Sequence, residues 1–189
     1  MKVVIVPYTP EWKKKFEAEK IILSDVLKEL NPEIEHIGST SVEGLGAKPI
    51  VDIQIGMPHY DYLDKIIEPM INAGYTYFKK YEDTLPDRRL FCRIHNPEGI
   101  TLPKILYTHE DKIDRTKYPS LFNIHCVEIN TPWWKRHIAF RDYLRSHPEE
   151  RERYQKLKED LASKEWNDIN DYAQAKTEFV KSIEKLAGI

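Results

Sequence analysis

The chain has 189 residues, 41% of them apolar and 32% charged, with 29 lysines and arginines against 31 acidic residues. That length is enough to bury a substantial core, and the near balance of charge leaves no whole-surface field to gather polyanions, so nucleic acid is not the expected partner. Cys92 and Cys126 show no metal-binding spacing, and the apolar run at residues 3–6 is too short for a signal peptide or a membrane span, which points to a reduced, cytoplasmic protein.

In chain order, Thr9-Pro10-Glu11 reads as an N-cap with proline at the first helical position, and a helix is expected to about Leu30. Trp12, Phe16, Ile22, Val26 and Leu30 recur at helical spacing, and Lys13-Lys14-Lys15 would lie on a solvated side. Residues 34–37 predict a short strand, and 50–55 a stronger one, rich in β-branched residues and closed by Gly56 and Pro58. A helix over 60–73 would end before Gly74, with strands near 75–78 and 90–94. Residues 96–120, with Pro97, Gly99, Pro103 and Pro119, predict an excursion or flap. A strand follows at 122–129, Thr131-Pro132 repeats the capping signal, and helices are expected over 132–146, 148–163 and 168–187. The pattern is α+β, or mixed α/β: a sheet flanked by helices over 1–130 with a C-terminal helical cap over 131–189, read as a single domain. A binding site is expected at the seam between sheet and cap.

Two stretches carry candidate chemistry. In His36-Ile37-Gly38-Ser39-Thr40-Ser41-Val42, a turn of small residues leaves a strand, and its amides and hydroxyls can cradle a phosphate. The alternative is a helix N-cap with no ligand. Asp52 lies in an otherwise apolar strand, where a carboxylate is costly unless paired or metal-bound. Alternation puts Gln54 on its face, with Val51, Ile53 and Ile55 on the other. A hard cation such as Mg²⁺ needs only one or two carboxylates plus substrate phosphates. In the C-terminal helices Lys158 and Lys176 fall within apolar stripes, each four residues after a tyrosine, Tyr154 and Tyr172. Either each stem snorkels to an edge, or both ammoniums meet an anion at the seam. Arg93, alternating with Phe91, would add a bidentate contact.

The run HIGSTSVEGLGAKPIVDI resembles the signature of GrpB-like proteins, a branch of the nucleotidyltransferase-fold superfamily. The match extends through Arg88-Arg89-Leu90-Phe91, Asn123-Ile124-His125, Phe140-Arg141-Asp142-Tyr143, His147-Pro148 and the C-terminal tyrosine and lysine pairs, outside residues 98–120. The resemblance implies a nucleotidyltransferase-like mixed sheet flanked by helices. It further implies Gly38, Ser39, Thr40 and Ser41 on an NTP triphosphate, Asp52 on Mg²⁺ or Mn²⁺, and transfer of a nucleoside monophosphate to an acceptor that the sequence does not identify. The superfamily's second acidic ligand is Gln54 here, which weakens two-metal chemistry and leaves open a binding module with reduced or absent catalysis, or a structural domain. For a third ligand His125 is favoured over Glu128, since three residues apart on a strand they face opposite ways. Lys158 and Lys176, with Tyr172, would bind the triphosphate from the cap.

Overall fold

The computed structural model describes residues 2–167 and 169–189. In chain order its elements are helix α1 (Glu11–Val26), strands β1 (Glu33–Ile37) and β2 (Val51–Met57), short helices α2 (Tyr62–Lys65) and α3 (Ile67–Asn72), strands β3 (Thr76–Tyr77), β4 (Arg89–Ile94) and β5 (Ser120–Glu128), then helices α4 (Pro132–Ser146), α5 (Pro148–Ala162), α6 (Ile169–Gln174) and α7 (Thr177–Leu186). The strands form one mixed sheet in the order β1-β2-β5-β4-β3. Only β2 and β5 run parallel; the other neighbours are antiparallel.

Strand parity sorts the side chains into two layers. Val51, Ile53, Ile55 and Met57 of β2, with Phe91, Ile124 and Cys126, face α1, α2 and α3 in the largest core. From α1 and its C-cap Leu27 that core receives Trp12, Phe16, Leu23 and Leu27, each worth about 1.5–3 kcal/mol when fully buried. The expected inward stripe is thus shifted: Leu23 and Leu27 are buried and Ile22 is exposed, because the face set by Trp12 and Phe16 continues at helical spacing through Glu19, Leu23 and Leu27, and Ile22 falls beside it. The other face carries Asp52, Gln54, Asn123 and His125 toward the C-terminal helices, whose own core joins Val42 and Leu45 to Leu144, Tyr154 and Ile183.

Thr131 caps α4, its hydroxyl accepting from the Trp134 amide at 3.3 Å, with proline at the start of the helix. The helix expected over 60–73 is broken into α2 and α3. The one expected over 168–187 is also broken: Asp168 lies outside the described residues, and α6 and α7 meet at Lys176, the residue that caps α7. The single apolar stripe is therefore two. Tyr172 packs with Val3 and Leu161, and Ile183 with Leu144 and Tyr154. Of residues 96–120, Ser120 opens β5 and the rest hold no helix or strand longer than an isolated bridge at Ile105, yet Leu106, Ile113 and Tyr118 pack against Phe78 and Cys92 in a small core of their own.

Where α4 crosses the sheet, β2 has Gly56. A Cβ there would lie 2.1 Å from Ile129 Cγ2 and 2.7 Å from the Trp134 ring. Gly56→Ala is therefore expected to cost about 1–3 kcal/mol through overpacking, read as a lowered urea midpoint at unchanged slope. A midpoint equal to that of the wild type would show that α4 moves away freely.

Candidate functional site

β1 ends at Ile37, and Gly38 turns the chain with φ 70° and ψ −173°, a backbone region open almost only to glycine. The 3-10 turn Ser39–Ser41 follows. Its hydroxyls divide their duties. Ser41 Oγ donates to the Gly38 carbonyl at 2.6 Å, and Thr40 Oγ1 pairs with His36 Nε2 at 3.0 Å, so both serve the turn itself. Ser39 instead lies against the Tyr154 phenol, on the side of the turn that faces Asp52.

Asp52 is half-buried, and its Oδ1 accepts from Asn123 Nδ2 at 2.9 Å. The turn backbone approaches its other oxygen so closely that a Cβ on Gly38 would lie 2.6 Å from Oδ2. Lys48, from the loop before β2, and Lys176, from the α6–α7 junction, act on Asp52 electrostatically, both lying over the Tyr172 ring. Burial raises the Asp52 carboxyl pKa, against the opposing pull of Asn123 and both lysines. The lysines are depressed in turn. Burial, then Lys48, brings Lys176 to about 8, and burial lowers Lys48 against the attraction of Asp52. Two ammoniums beside one carboxylate leave local positive charge unmatched.

Tyr172 forms the floor, almost fully buried, with Lys176 Nζ 4.5 Å and Lys48 Nζ 5.8 Å from its ring centroid. Its hydroxyl is buried with no hydrogen-bond partner among the described residues. Lys158, 2% exposed, donates to the Gly46 carbonyl and lies 4.9 Å from the Tyr154 ring centroid. Burial, reinforced by Lys176, lowers its pKa to about 7. Its ammonium is thus engaged by backbone, whereas that of Lys176 faces Asp52.

The remaining sequence candidates lie elsewhere. Arg93 is corrected outright: parity places it with Phe91 on the opposite face, where it pairs with Glu19 at 3.0 Å and donates to the Tyr75 hydroxyl at 3.1 Å. Gln54 is fully buried beneath α4, and its amide donates to the Trp134 carbonyl at 3.0 Å. His125 pairs in register with Gln54, not Asp52, and its Nδ1 lies 3.1 Å from Arg88 Nη1. Burial, Arg88 and His137 hold its pKa well below the usual imidazole range, so it accepts from the guanidinium. Glu128 is aligned with Met57 at the far end of the strand. The residue opposite Asp52 is Asn123. Local pattern alone does not single out Asn123 or Lys48 as site residues. Lys48 stands four residues before Asp52 in the same quoted run, a signal that was available; Asn123 emerges only from strand register.

This donor set does not make a resident metal centre. Among the described residues no group of three or more His, Cys, Asp or Glu side chains converges, and Asp52 is a lone carboxylate already bonded by the Asn123 amide and under the electrostatic influence of two lysines. Gln54 Oε1 is a buried acceptor without a partner among the described residues, but it contributes no charge. What the arrangement can do is hold an anion against Lys48 and Lys176, with the turn and the Tyr172 hydroxyl as further donors.

The fold and site together define a class: an α+β protein with a mixed five-stranded open sheet, helices on both faces, and a glycine-serine turn set against a strand carboxylate. The profile of the family described as GrpB protein matches residues 2–186, and the chain belongs to that family. It is 31% identical over 182 residues to the glutamate-rich protein GrpB of Alkalihalophilus pseudofirmus, covering 96% of this chain and 93% of that one. The YqkA protein of Bacillus subtilis is 34% identical over 186 residues, which span 98% of this chain but 47% of YqkA. A dephospho-CoA kinase of Mycolicibacterium paratuberculosis is 25% identical over 181 residues, 92% of this chain and 43% of that protein. The crystal structure of the conserved protein GrpB from Enterococcus faecalis superposes with a TM-score of 0.75 at 32% identity, covering 97% of this chain and 96% of that one. No helix among the described residues is long and apolar enough to cross a membrane.

Proposed function

We propose that this GrpB-family protein binds the triphosphate of a nucleoside triphosphate at the seam between the sheet and its C-terminal helices. One observation carries the reading: Lys48 and Lys176, distant in sequence, both lie over the Tyr172 ring, at 5.8 and 4.5 Å from its centroid, within electrostatic reach of Asp52 beside a Gly-Ser turn. Each has its charge held down by burial, a cost that a bound polyanion would relieve. The buried Tyr172 hydroxyl, without a partner among the described residues, supports it, since a phosphate oxygen would accept its hydrogen bond. Related sequence within a protein named dephospho-CoA kinase is compatible with handling phosphorylated ligands.

On this reading Lys48 and Lys176 neutralise triphosphate oxygens, Ser39 and the turn amides orient them, and Mg²⁺ or Mn²⁺ enters only as the nucleotide's own counter-ion. Transfer of a nucleoside monophosphate would be in-line attack on the α-phosphorus with release of pyrophosphate. The lone carboxylate, with Asn123 opposite it, favours a second reading in which the site binds nucleotide with little or no turnover.

The test is thermal stabilisation of wild type and Asp52→Asn by ATP, GTP, CTP and UTP, each with Mg²⁺, Mn²⁺ or EDTA. At a hundred times its Kd a ligand adds about 2.7 kcal/mol. Stabilisation by one nucleotide, altered in Asp52→Asn, is the expected result. Absence of stabilisation by all four would remove the triphosphate reading, and formation of pyrophosphate with any acceptor would separate transferase from binding module.

A further inference from the structure

A cleft of about 700 Å³, whose lining includes Thr40 and Ser41 of the turn but not Asp52, runs along the free edge of β1, between α1 and the helices α4 and α5. That volume is in the range of small-molecule sites, about 300–1,000 Å³. Its neutral floor is His36, stacked on Phe16 at 4.7 Å and fixed by Thr40. Burial, with Arg145 and Arg141 nearby, holds His36 to a pKa of about 3.

The walls are basic, with five lysines and arginines against three glutamates. Arg141 is fully engaged: Glu35 at 2.5 Å, Asp142 at 2.7 Å and the His36 carbonyl at 3.0 Å. Arg145 is engaged differently. Its Nε and Nη2 donate to a neutral acceptor, the Ser41 carbonyl, at 3.1 and 2.8 Å, and its one ion pair, to Asp142 at 3.4 Å, is shared with Arg141. Arg151, beside Gly44, and Lys13 and Lys20 of α1 make no ion pair among the described residues. Cations from three separated segments therefore converge on a concave space with too few carboxylates to balance them. Solvated surface cations diverge into water; convergence on a cleft of this size is what recognises an anion.

We propose that this cleft is a second binding site, separate from the seam, for a small phosphate- or carboxylate-bearing ligand held by Arg145, Arg151 and Lys13. The inference does not depend on nucleotide binding at Asp52. The two sites share only the Gly38–Ser41 turn as a common wall.

The test titrates the full chain with inorganic phosphate and, in parallel, with citrate, following Tm and backbone amide NMR shifts against sodium chloride of matched ionic strength. Saturable binding is expected, with shifts centred on Lys13, Gly44 and Arg151, outside the shared turn, and whichever anion binds tighter identifies the ligand chemistry. Arg151→Gln and Lys13→Gln should each weaken it roughly tenfold as read at the Gly44 amide, and any phosphate taken up by the seam is told apart by its loss in Lys176→Met while the Gly44 amide still responds. Responses no larger than those to chloride would overturn the proposal. So would binding abolished by Lys176→Met but untouched by Arg151→Gln, which would put the anion in the seam.

Discussion

Gly38→Ala should be among the most damaging single substitutions in the molecule. The residue has φ 70° and ψ −173°, where a side chain costs about 1–3 kcal/mol in backbone strain alone. The new methyl would also lie 2.6 Å from Asp52 Oδ2, so the carboxylate or the turn must shift. These two penalties can be separated. Asp52→Ala in the same chain removes the Oδ2 collision, leaving a tight 3.1 Å approach to Cβ and the strain, so the double variant should be more stable than the sum of the single losses predicts, with a coupling of about 0.5–3 kcal/mol. Urea unfolding of the four proteins measures it. A loss within about 0.5 kcal/mol for Gly38→Ala, the size of an ordinary surface change, would mean that the turn does not press on Asp52.

Lys176→Met should separate binding from stability. Hydrogen bonds to charged groups are worth about 1.5–3 kcal/mol, so loss of this ammonium should weaken nucleotide binding about ten- to a hundredfold. The free protein should not lose stability to match, because methionine keeps the packing on Tyr172 and removes a positive charge that burial and Lys48 disfavour. The pH dependence carries a second signature. The Lys176 pKa is about 8 in the fold against 10.5 ordinarily, so between those values the unfolded chain holds a proton the folded one has lost, and stability rises with pH. Lys158, at about 7, contributes a similar rise that begins one unit lower. Denaturant midpoints at pH 7, 8 and 9 should therefore climb less steeply in Lys176→Met than in wild type. An identical slope would show that Lys176 is solvated and no part of an enclosed site.

Much of the architecture follows from local pattern. The β-branched alternation of β2, the Thr-Pro start of α4 and the proline at the start of α5 are short-range signals, and the elements lie where those signals place them. The elements misjudged are those where tertiary contacts override a local pattern. Residues 168–187 carry continuous helical spacing, yet the chain breaks at Lys176 so that Tyr172 and Ile183 can enter two different cores. Arg93 was assigned to the site although its parity with Phe91 already placed it on the other face.

By itself the sequence determined which residue types are available: a glycine-serine turn, a strand carboxylate in apolar company, an amide where a second acid was expected, and lysines inside apolar stripes. Only the tertiary structure decided which of them meet. Strand register placed Asn123 opposite Asp52 and carried His125 to Arg88. Helix packing committed Lys158 to the Gly46 carbonyl and brought Lys176 and Lys48 to the carboxylate. The physical reason is one of range. Propensity and periodicity act over a few residues, whereas the charge environment of Asp52 comes from groups as far apart in the chain as Lys48 and Lys176, brought together by sheet pairing and helix docking.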